Sequence, residues 1–193
     1  MGDGRRDRAE AGRVERLKRR AVFLDRDGVI NRAVVREGKP YPPARLEDLE
    51  VLPAVPAALA SLRAAGFLLV VVTNQPDVAR GEQRREVIDA MHARLQAELP
   101  LDAIEACFED GDEVPRRKPN PGMLLDAAAR LDIDLARSFL VGDRWRDVEA
   151  GKRAGCTTLF VDRGYTETLR STPDVVVADL GEAARWITSP RAS

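Results

Sequence analysis

Two aspartates, Asp25 and Asp27, follow directly on the apolar run Ala21–Leu24, with Gly28 behind them. A carboxylate delivered to a strand end can attack phosphorus and form an aspartyl-phosphate. A second carboxyl group can protonate the leaving alcohol and then activate water. The same residues also suit a plain Asp-Gly turn, so partners elsewhere in the chain must decide. Thr73-Asn74 closes the apolar run from Phe67, where a hydroxyl and an amide either bind phosphate oxygens or simply cap a strand. Lys118 stands before Pro119 and Pro121. Its ammonium can neutralise a transferring phosphoryl group and hold the nucleophile, or sit solvated in the basic run Arg116–Lys118. The rigid Lys-Pro-Asn-Pro-Gly backbone weakens the second reading. Gly142-Asp143 ends a further apolar run, and Asp143 is a candidate cation ligand. Asp147, one helical turn on, can orient water or Lys118, or only favour a helix N-terminus. Clustered acids facing an anionic substrate need a cation, and Mg²⁺ takes oxygen ligands. The set reads as one Mg²⁺-dependent phosphoryl-transfer site.

Positioning these groups requires strands that end where the chemistry begins. Ala21–Asp25 is a short apolar strand, and Pro53–Ala65 a helix stopped by Gly66. Phe67–Thr73 is apolar throughout, the pattern of a strand covered on both faces. Helices over Gly81–Leu99, Pro121–Leu131, Asp147–Ala154 and Leu180–Ile187 alternate with strands over Ala103–Phe108, Ser138–Gly142, Thr157–Val161 and Asp174–Val177, the last at a sheet edge. Alternation of this kind predicts an α/β fold: a Rossmann-like three-layer αβα sandwich with a mostly parallel sheet. Ligands bind such sheets at the carboxyl ends of the strands, where strand order reverses. The Pro-rich stretch Lys39–Pro43 reads as a stiff loop.

The bulk numbers narrow the class. A chain of 193 residues with 44% apolar and 33% charged residues suits a single globular domain with a full core. We read residues 1–20 as a charged, mobile tail, 21–188 as the domain and 189–193 as a short C-terminal tail. The net charge of -1 argues against bulk binding to nucleic acid or anionic lipid. Two isolated cysteines, Cys107 and Cys156, imply a reducing cytoplasm, and no apolar run is long enough to span a membrane. Nearly every basic residue is arginine; lysine occurs only at 18, 39, 118 and 152, which singles out Lys118 as a place for a compact point charge. The lone His92 reads as a surface or packing residue.

The combination Asp25-x-Asp27, Thr73-Asn74, Lys118 and Gly142-Asp143 resembles the haloacid dehalogenase (HAD) superfamily, over nearly the whole chain after residue 20. Phe23–Asn31, Val71–Gly81 and Arg117–Leu124 are similar in wording to its subfamily IIIA branch of heptose-bisphosphate and histidinol phosphatases. The resemblance implies Asp25 as nucleophile and Asp27 as proton donor. It implies Mg²⁺ on the Asp25 carboxylate, the Asp27 backbone carbonyl and Asp143. It further implies that Arg117 and Lys118 contact the substrate phosphate, with Arg144 nearby. Arg26 and Gln75, inside the matching segments, join the phosphate-binding candidates.

One departure bears on specificity. The branch carries a zinc loop of the form Cys-x-His…Cys-x-Cys before Arg-Lys-Pro. Here Cys107 remains, but Glu109, Val114 and Arg116 stand where the other ligands belong, and one thiol cannot hold structural zinc. No zinc is therefore expected, and the acidic stretch 108–116 reads as a solvated loop. With no room for a cap domain, selectivity should come from the loops near Arg32–Pro43 and 108–117. The expectation is a monomeric cytoplasmic phosphatase acting on a small phosphorylated metabolite, a sugar bisphosphate first. The alternatives are histidinol phosphate, a nucleic-acid 3′-phosphate, or a catalytically silent phosphate-binding protein.

Overall fold

The computed structural model describes residues 17–190. Six parallel strands form the main sheet: β1 (Ala21–Leu24), β4 (Leu68–Asn74), β5 (Ala103–Cys107), β6 (Phe139–Gly142), β7 (Thr157–Val161) and β8 (Val175–Val177). Their order is β5-β4-β1-β6-β7-β8. The chain therefore winds outward from β1 in one direction, returns, and winds outward from β6 in the other. The reversal falls between β1 and β6, where the parallel register pairs Phe23 with Leu140 and Leu24 with Val141. The Asp25 N–H extends that pairing by donating to the Val141 carbonyl at 2.9 Å.

The sheet is apolar because both faces are covered. Val22 and Leu24 of β1, Leu69 and Val71 of β4, and Phe139 and Val141 of β6 point into one core. That core is shared with helices α1 (Val55–Ala64), α2 (Arg85–Glu98) and α5 (Leu180–Thr188). Ala21, Phe23, Val70, Val72 and Leu140 point the other way, against α3 (Gly122–Leu131) and α4 (Trp145–Ala154). Alternate residues of one strand thus feed two cores, which leaves no place for a polar residue until the strand ends.

Three expectations shift. The helix read from Gly81 begins at Arg85, since Gly81 adopts φ +72 and residues 76–83 form turns instead. The Pro-rich stretch is partly a strand: β2 (Val34–Arg36) and β3 (Lys39–Tyr41) make a separate antiparallel hairpin. Pro40 is accommodated because a two-stranded ribbon leaves half its donors unpaired. The tail read over 1–20 ends earlier than expected. Arg19 donates to the Leu131 carbonyl and Arg20 lies 4.4 Å over the Phe67 ring, so both belong to the domain. Residues 1–16 and 191–193 of the two tails lie outside the described residues.

Candidate active site

Four strand ends converge on one cleft of about 280 Å³. Its floor carries Asp25, Asp27, Thr73, Asn74, Gln75, Lys118 and Asp147, and its walls Lys39–Pro42, Asp77, Arg80, Arg117, Arg144 and Arg146. Lys118 organises the floor. Its ammonium donates to Asp25 Oδ1 at 2.8 Å, Asp147 Oδ1 at 2.6 Å and the Val72 carbonyl at 2.7 Å. An ammonium has three donors, so all are in use. Burial alone would lower the Lys118 pKa, but the Asp147 and Asp25 charges raise it above the usual lysine range. Lys118 is thus a permanent cation that fixes the nucleophile candidate, and no donor remains for substrate phosphate.

The loop bearing Lys118 is docked by Asn74. The Asn74 amide donates to the Lys118 carbonyl at 2.9 Å and its oxygen accepts from the Lys118 N–H at 3.0 Å. Asn74, read as a phosphate ligand, instead acts as a clamp, because β4 ends opposite the loop rather than opposite open space. Asp147 has two roles. Its Oδ1 holds Lys118, while its Oδ2 accepts from the Arg144 N–H at 3.0 Å, closing the first turn of α4.

Asp27 is held as firmly. Arg26 grips its carboxylate through Nε and Nη2, Asn31 donates to Oδ1 at 2.9 Å and Gln75 to Oδ2 at 3.0 Å. Gln75 also donates to the Thr73 hydroxyl at 2.9 Å. Arg26 is wholly buried and does not line the cleft, which corrects its reading as a phosphate ligand. Its remaining Nη1 meets His92 Nε2 at 3.1 Å. A guanidinium only donates, so Nε2 must accept and the His92 proton sits on Nδ1. Burial first, then the Arg26 charge, lowers the His92 pKa to about 4.

Asp25, Asp143 and Asp147 bring carboxylate oxygens within 4.8 Å of one another. Both oxygens of Asp143 are buried without a hydrogen-bond partner. The Tyr165 hydroxyl stands beside them, and its pKa is raised by burial and then by the Asp143 charge. Burial, then the Asp25 and Asp147 charges, pushes Asp143 well above the carboxylate range. Asp25 rises to about 6, again by burial first, against the opposing pull of Lys118. Gly28 makes room here: at φ +88, an added Cβ would lie 1.8 Å from Asp143 Oδ2. A crowded anionic cluster with unpartnered oxygens fits a hard divalent cation with oxygen ligands. Asp25 and Asp143 are the carboxylates left to hold it, since both oxygens of Asp147 are engaged.

The walls are cationic. Arg144 pairs with Glu167, its Nε 3.0 Å from Oε2. Arg117 reaches the cleft wall with both terminal nitrogens bound to Asp110 and Asp112. The stretch 108–116 is largely exposed, as read, and does not line the cleft, but its Asp110 and Asp112 are ion-paired with arginines that do. The Cys107 thiol faces the Glu109 carbonyl and is raised in pKa by burial.

The HAD-hydrolase-like family model matches residues 115–183. The D-glycero-D-manno-heptose-1,7-bisphosphate 7-phosphatase of Thermosynechococcus vestitus is 36% identical over 195 residues, covering 89% of this chain and 96% of its own. The chain belongs to the HAD phosphatases. A Rhodopseudomonas palustris member, named D-glycero-beta-D-manno-heptose-1,7-bisphosphate 7-phosphatase, is 39% identical over 72% of this chain and 81% of its own. Among solved structures, the D,D-heptose 1,7-bisphosphate phosphatase of B. bronchiseptica, complexed with magnesium and phosphate, superposes with a TM-score of 0.74. It is 32% identical and covers 87% of this chain and 97% of its own.

For this HAD phosphatase chain, the sequence placed Asp25, Asp27, Thr73, Asn74, Gln75, Arg117, Lys118, Arg144 and Asp147 on the cleft, with Asp143 buried beside it. It missed Asn31, Tyr165, Lys39, Arg80 and Arg146. Asn31 had a signal, since it lies within the motif quoted for the first strand. Arg80 and Tyr165 come from loops, Lys39 from β3 and Arg146 from the first turn of α4, and no local pattern records that these segments meet at the site. Among the described residues, no helix is long and apolar enough to cross a membrane.

Proposed function

We propose that this protein is a Mg²⁺-dependent phosphatase that removes one phosphate from a small sugar bisphosphate, of the heptose 1,7-bisphosphate type that its relatives are named for. The observation that carries this is the division of the cleft. Carboxylates and one saturated lysine form the floor, while Lys39, Arg80, Arg117 and Arg146 line the walls against a single wall carboxylate, Asp77. A floor built for phosphoryl transfer below a cationic mouth suits a substrate with two anionic groups.

Asp25 Oδ2, the oxygen that Lys118 does not hold, attacks phosphorus and forms an aspartyl-phosphate. Asp27 protonates the leaving alkoxide oxygen, then takes a proton from the water that releases inorganic phosphate. Asp25, Asp143 and the Asp27 backbone carbonyl would hold Mg²⁺. When bound, the ion neutralises charge on the phosphoryl oxygens and on the paired carboxylates. Lys118 keeps Asp25 ionised and aimed, and Asn74 keeps Lys118 in place. Thr73, with Arg144 at the wall, is left to receive phosphate oxygens.

Histidinol phosphate suits the mouth less well, because its ammonium would face the wall cations. A nucleic-acid end is disfavoured as well: Tyr41 is the one aromatic lining the cleft among the described residues, too little for base stacking. The test is phosphate release from heptose and hexose bisphosphates, sugar monophosphates and histidinol phosphate, with and without Mg²⁺. A bisphosphate should rank first, activity should vanish without Mg²⁺, and Asp25→Asn should be inactive. Equal turnover of histidinol phosphate, or an active Asp25→Asn, overturns the reading.

A further inference from the structure

Two of the four carboxylates in the loop that follows β5, none of which takes part in the chemistry described above, bind arginines of the cleft. Asp110 binds Arg117 Nη2 at 3.0 Å through Oδ1 and Arg80 Nε at 2.8 Å through Oδ2. Asp112 Oδ1 accepts from Arg117 Nη1 and from Arg146 Nη1, each at 3.0 Å. Two acids thus tie together three arginines from three parts of the chain. Arg80 comes from the β4–α2 loop, Arg117 from the segment leading to Lys118, and Arg146 from the first turn of α4. All three arginines line the cleft, and neither aspartate does.

Stability is a weak reason for such a network. Asp112 is 76% exposed, and exposed ion pairs contribute little to folding. The loop backbone is also fixed independently of these carboxylates. Asn120 donates to the carbonyls of Asp112 and Val114 at 2.8 and 2.9 Å, and the Val114 N–H donates to the Gly111 carbonyl. What the carboxylates do fix is the direction of three long, rotamer-rich side chains. One of these is incomplete: the Arg117 side chain is only 9% exposed, and its Nε is buried without an acceptor. A buried donor left unmade is unfavourable, and an anionic oxygen entering the cleft would supply what is missing.

We infer that Asp110 and Asp112 are positioning residues, which hold Arg80, Arg117 and Arg146 as a preformed arc receiving the second anionic group of the substrate. This rests on the bisphosphate reading above. Preorganisation places the ordering of the arginines before binding rather than during it, so it acts on affinity for doubly charged substrates. The acidic loop is then a specificity element that works through its neighbours without touching substrate.

The test compares heptose 1,7-bisphosphate with 4-nitrophenyl phosphate, which has one anionic group, in wild type and in the Asp110→Asn/Asp112→Asn double variant at saturating Mg²⁺. The ratio of kcat/KM for bisphosphate to that for aryl phosphate should fall about tenfold, chiefly through KM for the bisphosphate. The Asp110→Glu/Asp112→Glu variant should recover part of the ratio. An equal fall for both substrates would mean a structural prop and overturn the inference. So would a lower KM for the bisphosphate, which would make the aspartates competitors of substrate. Wild type showing no preference for the bisphosphate would instead overturn the underlying functional reading, and this inference with it. Asp112→Asn alone covers the case in which the double variant fails to fold: a smaller fall in the same ratio supports the inference, and an unchanged ratio overturns it.

Discussion

Replacing Lys118 by methionine separates two consequences of one ammonium. The side chain is 4% exposed and lies within 2.8 Å of three acceptors, two of them carboxylates. Methionine keeps much of the volume and removes the charge and all three bonds. Asp25, Asp143 and Asp147 would then share a buried site with no cation of the protein's own. Removing one partner of a buried ion pair costs about 3–5 kcal/mol, because the other charges remain. In a chain of this size 1 kcal/mol moves the melting midpoint by about 2–4 °C, so a drop on the order of 10 °C is expected without Mg²⁺. Mg²⁺ should recover more of that loss in Lys118→Met than it adds to wild type, since it supplies the missing positive charge. Turnover should fall by about 10²–10³ even at saturating Mg²⁺, as for loss of one preorganised donor. Thermal melts with and without Mg²⁺, alongside phosphate release, measure both. A variant that melts with wild type in the absence of Mg²⁺ would refute the claim that Lys118 is what makes this cluster tolerable.

Three other perturbations follow from the same geometry. Gly28→Ala should cost about 1–2 kcal/mol for the left-handed backbone and cut activity about a hundredfold by displacing Asp143, read by denaturation and by a Mg²⁺ titration of turnover. His92 has a folded pKa of about 4 against an ordinary 6.5. The unfolded chain therefore binds the proton first, and stability held above pH 6.5 declines as pH falls towards 4. About 2 kcal/mol should be lost to this group between pH 7 and 5, and urea titrations of His92→Gln should lack that slope. Burial pushes the Cys156 thiol up to about 12 and also raises Cys107. Neither should react with a thiol reagent at pH 8 until denaturant is added.

The floor of the site was legible because strands buried on both faces announce where they stop. Asp25, Thr73 and Asp143 are each the first polar departure after an apolar run, and the sheet brings such departures to one edge. Lys118 was legible for another reason, its rarity in a chain that otherwise uses arginine. What could not be read was how polar groups divide their bonds. Arg26 looks like a phosphate ligand until His92 of α2 and the Asp27 carboxylate, both placed by tertiary structure, take its donors. Asn74 carries the right chemistry for phosphate but meets a backbone 44 residues away. The β2–β3 hairpin escaped notice because Pro40 and Pro42 lower strand propensity while a two-stranded ribbon tolerates them. In 108–116, acidity suggested solvation and the stretch is exposed, but Arg80 and Arg146, which share its carboxylates with the adjacent Arg117, lie 30 and 34 residues away and could not be read.

The three bonds of Lys118 join positions 93, 46 and 29 residues distant. All three together require β1, β4 and the start of α4 to have found their neighbours, so the complete catalytic floor is expected to close late in folding. Helix content during refolding would then rise well before turnover does. Secondary structure would come from local segments, and catalytic competence would signal that the sheet is complete on both sides of β1.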